Sequence, residues 1–81
     1  MGQRRIQFEV SEDEAKNIEA LIEECGMRTK KELLTNALTL LKWSIEEVAS
    51  RRIIVSMDKQ NTEHKELVMP WMSNVKKKSA S

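Results

Sequence analysis

Few residues in this chain of 81 have the types and spacing that covalent chemistry needs. Its single histidine, His64, stands in a polar stretch without ligand-like neighbours. Its single cysteine, Cys25, falls on the apolar stripe of a helical segment, where a thiol packs as a small hydrophobe. There is no Ser/His/Asp set, no carboxylate pair with a pocket, no glycine-rich phosphate loop and no cysteine-histidine cluster that could hold zinc. The residues therefore point away from an enzyme and call for no cofactor and no metal. What remains is chemistry by hydrogen bond and charge. Arg5, Gln7 and Glu9 place a guanidinium, an amide and a carboxylate at alternate positions, and Arg28-Thr29-Lys30-Lys31 gathers cations around a hydroxyl.

The elements that must position these groups can be read from the pattern. Between Arg5 and Val10 the apolar Ile6, Phe8 and Val10 alternate with Arg5, Gln7 and Glu9, the period of one half-buried strand. Ser11-Glu12-Asp13-Glu14 follows at once as a capping box, with acidic residues at the positive end of a helix dipole. This first helix should run to about Cys25, with Ala15, Ile18, Ile22 and Cys25 on one stripe, Leu21 at its margin and Gly26 as the left-handed stop. Thr29-Lys30-Lys31-Glu32 makes a second capping box. Leu34, Ala37, Leu38, Leu41, Ile45 and Val48 then recur at helical spacing, so the second helix should reach Ala49 or Ser50. Trp43 lies on the face opposite that stripe. Ile53 to Met57 and Leu67 to Met69 read as the two strands of a hairpin around a polar turn at Asp58 to Glu63, ended by Pro70. The small, polar, basic stretch from Ser73 is expected to be disordered. The organisation is thus a body over residues 1–50, a hairpin extension over 51–72 and a basic tail over 73–81.

A chain of this size is near the lower limit of what one core can stabilise, and a lone cysteine leaves no internal disulfide to help. Oligomerisation is the natural expectation. No apolar stretch suits a signal peptide or a membrane span, so a reducing cytoplasm is the expected address, with no membrane partner. Net charge is only +1, but basic residues cluster at Arg4-Arg5, Arg28 to Lys31, Arg51-Arg52 and Lys76 to Lys78. A local basic face is compatible with that near-neutral total. The N-terminal strand also needs a hydrogen-bonding partner. Either the same strand of a second chain pairs with it across a two-fold axis, joining both Ile6/Phe8/Val10 faces to a common core, or Ile53 to Met57 pairs with it within the chain.

The order of alternating strand Arg5 to Val10, Ser11 cap, Gly26-Met27-Arg28-Thr29-Lys30-Lys31-Glu32 turn and capped second helix resembles the ribbon-helix-helix family, which includes Arc, MetJ and CopG-type repressors. The resemblance covers residues 4 to 50. It implies a mainly helical α+β fold: an intertwined homodimer with an N-terminal intermolecular two-stranded ribbon, here with a C-terminal β-hairpin added. It further implies a sequence-specific, repressor-like regulator of transcription that binds double-stranded DNA as a homodimer and can assemble further on it. On that resemblance Arg5, Gln7 and Glu9 would read base edges in the major groove, and Arg28, Thr29, Lys30 and Lys31 would hold phosphates at the N-terminus of the second helix. The dimer core would comprise Ile6, Phe8, Val10, Leu34, Leu38 and Leu41. Glu9 departs from the family pattern: it either accepts from a cytosine amino group or pairs with Arg5 of the other chain and silences the ribbon.

Two other functions remain open on the same residues. In an antitoxin-like protein the C-terminal segment would hold a partner protein, with Trp43, Met69 and Trp71 as contact residues; otherwise the hairpin folds back over the second helix and buries Trp43. In a pure assembly module, Arg5 and Glu9 would pair across the ribbon and no DNA would bind.

Overall fold

The computed structural model describes residues 2–79. Its elements are α1 (Glu12–Glu24), α2 (Lys30–Ala49), β1 (Val55–Met57), β2 (His64–Glu66) and a short 3-10 helix, Pro70–Asn74. The chain divides into two compact units, Met1–Asn36 and Ala37–Ser81, and α2 contributes to both.

The first unit corrects the expected fold. Residues 2–10 form no strand, and every one of them is exposed, Ile6 at 71% and Phe8 at 75%. The structure is a small α+β protein in which, among the described residues, the two strands follow α1 and α2, so the N-terminal ribbon of the ribbon-helix-helix expectation is not seen. The alternation of Ile6, Phe8 and Val10 defines two faces but supplies no hydrogen-bonding partner. Pairing these residues with Ile53 to Met57 would close a loop across both helices, whereas β1 finds β2 after a short turn. The local closure costs less entropy.

Both ends of α1 follow from the sequence. Glu14 N–H donates to Ser11 Oγ at 3.1 Å, and Ser11 N–H donates to Glu14 Oε1 at 3.4 Å, which closes the capping box. At the other end Gly26 has φ 65, its N–H donates to the Glu23 carbonyl, and Met27 N–H reaches back to the Ile22 carbonyl. That pair of bonds is a Schellman motif, with glycine where the chain turns left-handed. Ala15, Ile18 and Ile22 are half-buried along the expected stripe, as are Met27 and Leu33. Cys25, expected on the same stripe, is exposed because it is the C-cap, where the chain leaves the helix.

In the second unit α2 ends with the same hydrogen-bond pattern but a different residue. Arg51 N–H donates to the Val48 carbonyl and Arg52 N–H to the Glu47 carbonyl, each at 3.0 Å, and Arg51 takes the left-handed position at φ 66. Buried residues are confined to Ser44, Val48 and Ala49 among the described residues. Ser44 keeps its hydroxyl satisfied by donating to the Leu40 carbonyl at 2.8 Å. Trp43 is 51% exposed, so the described residues do not bury it as expected of a hairpin folded back over the second helix.

The hairpin forms with a different second strand from the expected Leu67–Met69. β1 and β2 are antiparallel, with Val55 opposite Glu66, Ser56 opposite Lys65 and Met57 opposite His64. Turn chemistry explains the shift. Asp58 accepts from Thr62 N–H at 2.8 Å, from the Thr62 hydroxyl at 2.5 Å and from Glu63 N–H at 2.7 Å, so pairing begins immediately after Glu63. Leu67 extends the ladder by one bond, from its N–H to the Ile54 carbonyl, and Pro70 then opens the 3-10 helix. Ser73 and Asn74 belong to that helix, although the sequence predicts a tail without structure from Ser73 onward. Lys78 N–H donates to the Ala49 carbonyl at 2.7 Å. The last two tail positions, 80 and 81, lie outside the described residues.

Candidate nucleic-acid interface

The residues expected to touch DNA all lie in the first unit, in two groups. Arg5, Gln7 and Glu9 stand on the exposed segment 2–10, which has no regular secondary structure. Among the described residues neither Arg5 nor Glu9 forms an ion pair within the chain. The guanidinium, amide and carboxylate are therefore open to solvent.

The second group is built by the start of α2. Thr29 caps the helix: its Oγ1 accepts from Glu32 N–H at 3.0 Å, and its carbonyl accepts from Leu33 N–H at 3.2 Å. The Glu32 carboxylate does not close the box on Thr29 but accepts from Arg28 N–H, one residue earlier, at 3.0 Å. Among the described residues the N–H groups of Lys30 and Lys31 meet no acceptor within the chain. These two donors, the positive helix end and the side chains of Arg28, Lys30 and Lys31 together suit a phosphate oxygen. Two features work against it. The Thr29 hydroxyl already serves the cap, and the Glu32 carboxylate sits at the mouth of the site as a competing anion.

The expected dimer core is uncovered. Ile6, Phe8 and Val10 in the arm, and Leu34, Leu38 and Leu41 on α2, are all exposed, the leucines by 44%, 49% and 39%. Of the expected partner-binding residues, Trp43 and Met69 are exposed and Trp71 is half-buried. Among the described residues no group of three or more His, Cys, Asp or Glu could hold a metal ion, and no helix is long and apolar enough to cross a membrane.

One feature is not legible in the sequence. Arg51 Nε donates to the Lys78 carbonyl at 3.3 Å, and Lys78 Nζ pairs with Glu46 at 3.0 Å, so the tail joins the end of α2. The runs Arg51-Arg52 and Lys76 to Lys78 are visible as charge, but no spacing rule brings them together.

Comparison of the chain with protein-family models, with curated proteins and with solved structures gave no match.

Proposed function

We propose that this protein is a homodimeric, repressor-like DNA-binding regulator in which the exposed residues 2–10 act as a reading arm and the start of α2 anchors phosphates. The observation that carries this reading is the helix start itself, where two unclaimed backbone donors stand among three cations. The arm supplies the side chains that can tell bases apart. Arg offers a two-pronged donor to guanine and Gln a matched donor and acceptor to adenine, each discriminating by about 1–3 kcal/mol. Those base edges are presented in the major groove, so the arm is proposed to enter that groove without being part of a sheet.

The homodimer is supported by what the chain leaves exposed: Leu34, Leu38 and Leu41 on α2 are uncovered by 44%, 49% and 39%, and a chain this small has little core of its own to bury them.

Selection of bound duplexes from a random pool, at moderate salt, tests the function directly. A defined site should emerge. Gln7→Ala should then weaken the preference among sequences, and Lys30→Gln should weaken binding to all of them. A parent protein that retains no duplex at any salt concentration sinks the proposal.

A second reading, the antitoxin-like protein, is favoured by the C-terminal unit, where Ile53, Met57, Val68 and Met69 are exposed. A stoichiometric protein partner that disappears on deleting residues 53–81 would support it, and a clean homodimer would count against it.

A further inference from the structure

Two basic runs of the second unit, Arg51-Arg52 and Lys76 to Lys78, converge on the C-terminus of α2. The Lys78 backbone is held from both sides, its N–H on the Ala49 carbonyl at 2.7 Å and its carbonyl on Arg51 Nε at 3.3 Å. This anchor brings Lys76, Lys77 and Lys78 to the stretch that carries Arg51 and Arg52. Such cations have a structural use, since a helix C-terminus carries about half a negative charge. That use does not exhaust them. Glu46 takes Lys78 and Glu47 takes Arg52, which leaves Arg51, Lys76 and Lys77 with no carboxylate partner among the described residues. In the Arg52–Glu47 pair Arg52 is 70% exposed and Glu47 24%, whereas the Lys78–Glu46 pair is open to water on both sides, at 59% and 68%. Exposed pairs of this kind are weak and exchange readily for another anion.

We propose that this cluster is a second, sequence-independent contact for the nucleic-acid backbone, with Arg51, Lys76 and Lys77 meeting phosphates while the Lys78 backbone keeps the tail in place. The inference rests on the DNA-binding reading and adds a site in the other unit of the chain. Arg51 directs Nε inward to Lys78 and keeps its two terminal amino groups for an outside acceptor, the arrangement that suits a phosphate oxygen pair. Lys76 and Lys77 add point charges that carry no base preference.

The test is the salt dependence of duplex binding by the full-length protein, measured on a selected site and on a random duplex. Lys76→Gln/Lys77→Gln should lower the slope of log Kobs against log salt by about 0.9 for each phosphate that is no longer neutralised, equally on both duplexes, and leave the ratio between them unchanged. Arg51→Gln should lower it again. The double variant is a fair probe because Lys77 Nζ donates only to the neighbouring Val75 carbonyl, so the fold does not depend on either side chain, and circular dichroism should match the parent. A parent-like slope in the double variant, with Lys30→Gln still flattening it, overturns this inference and leaves the DNA reading intact. A parent that binds no duplex overturns both. Loss of polyglutamate binding with an unchanged duplex slope would assign the cluster to an acidic protein and overturn the proposal as well.

Discussion

Asp58 shows how one side chain sets an element that propensity alone would place elsewhere. The Thr62 hydroxyl first, and Glu63 N–H next, hold its carboxyl below the ordinary value of 3.8. A carboxyl whose pKa is lower in the folded than in the unfolded chain stabilises the fold above the unfolded value, and that contribution disappears as pH falls through the folded one. The hairpin should accordingly be insensitive to pH near neutrality and loosen in acid below 3.8, with the Thr62 and Glu63 amides losing protection as Asp58 titrates. Carboxyl and amide shifts followed by NMR would show this, and an Asp58 midpoint at or above 3.8 would contradict it. Asp58→Ala should loosen the turn at every pH. The sequence marks Asp58 to Glu63 as a turn, yet Leu67-Val68-Met69 looks the better strand because it is apolar and partly β-branched. Side-chain capping of the turn fixes where pairing can begin, and that position favours His64-Lys65-Glu66 despite their polarity. At the α2 start a similar one-residue difference matters for binding, because the Glu32 carboxylate faces the site from Arg28 N–H. Glu32→Gln keeps an acceptor for that N–H and removes the charge, so it should tighten duplex binding several-fold at low salt; unchanged or weaker retention would show that the helix start does not meet phosphate.

Helix ends are the elements most legible from sequence, since caps depend on a few residues at fixed offsets. Ser11 and Glu14, Gly26, and Thr29 all occupy the positions the pattern assigns. Replacing Ser11 by Ala should cost about 1 kcal/mol in unfolding free energy. Gly26→Ala should cost about 1 kcal/mol as well. The space there is open, with nothing within 4 Å of an added Cβ, so that cost is one of backbone conformation alone. The end of α2 is harder to read because arginine, not glycine, holds the left-handed position at φ 66. The corresponding test is a comparison of two variants that both lack the bond to Lys78. Arg51→Gly should exceed Arg51→Ala in stability by about 1 kcal/mol, measured by denaturant unfolding, because only glycine takes that conformation without strain. Equal stabilities would mean that φ 66 is not maintained in solution. The N-terminal strand is illegible for a different physical reason. Alternation fixes which side chains share a face, but a strand exists only where its N–H and C=O groups are paired, and pairing is not a local property.

At the scale of the whole molecule the question is how a chain with so little buried surface remains folded. No residue of the first unit is buried among those described, and the second buries only Ser44, Val48 and Ala49. Three small buried side chains cannot offset the conformational entropy of ordering this many residues, which amounts to roughly 1–2 kcal/mol each for the backbone alone. On the proposed homodimer, further burial comes from a second copy of the chain. The exposed Leu38, Leu41 and Ile45, spaced for one helical face, are the kind of surface a second copy covers. Folding and association then become one equilibrium, so the midpoint of thermal unfolding should rise with protein concentration. Sedimentation at micromolar concentration should give a dimer mass. Leu41→Glu places a charge in that face, and the variant should sediment as a monomer and lose most of its helical circular dichroism. Lys42→Glu, one position round the helix, changes the charge without touching the stripe and should retain both the dimer and the helix signal. A parent protein that unfolds cooperatively as a monomer, at a temperature independent of concentration, would show that the apolar face serves something other than self-association.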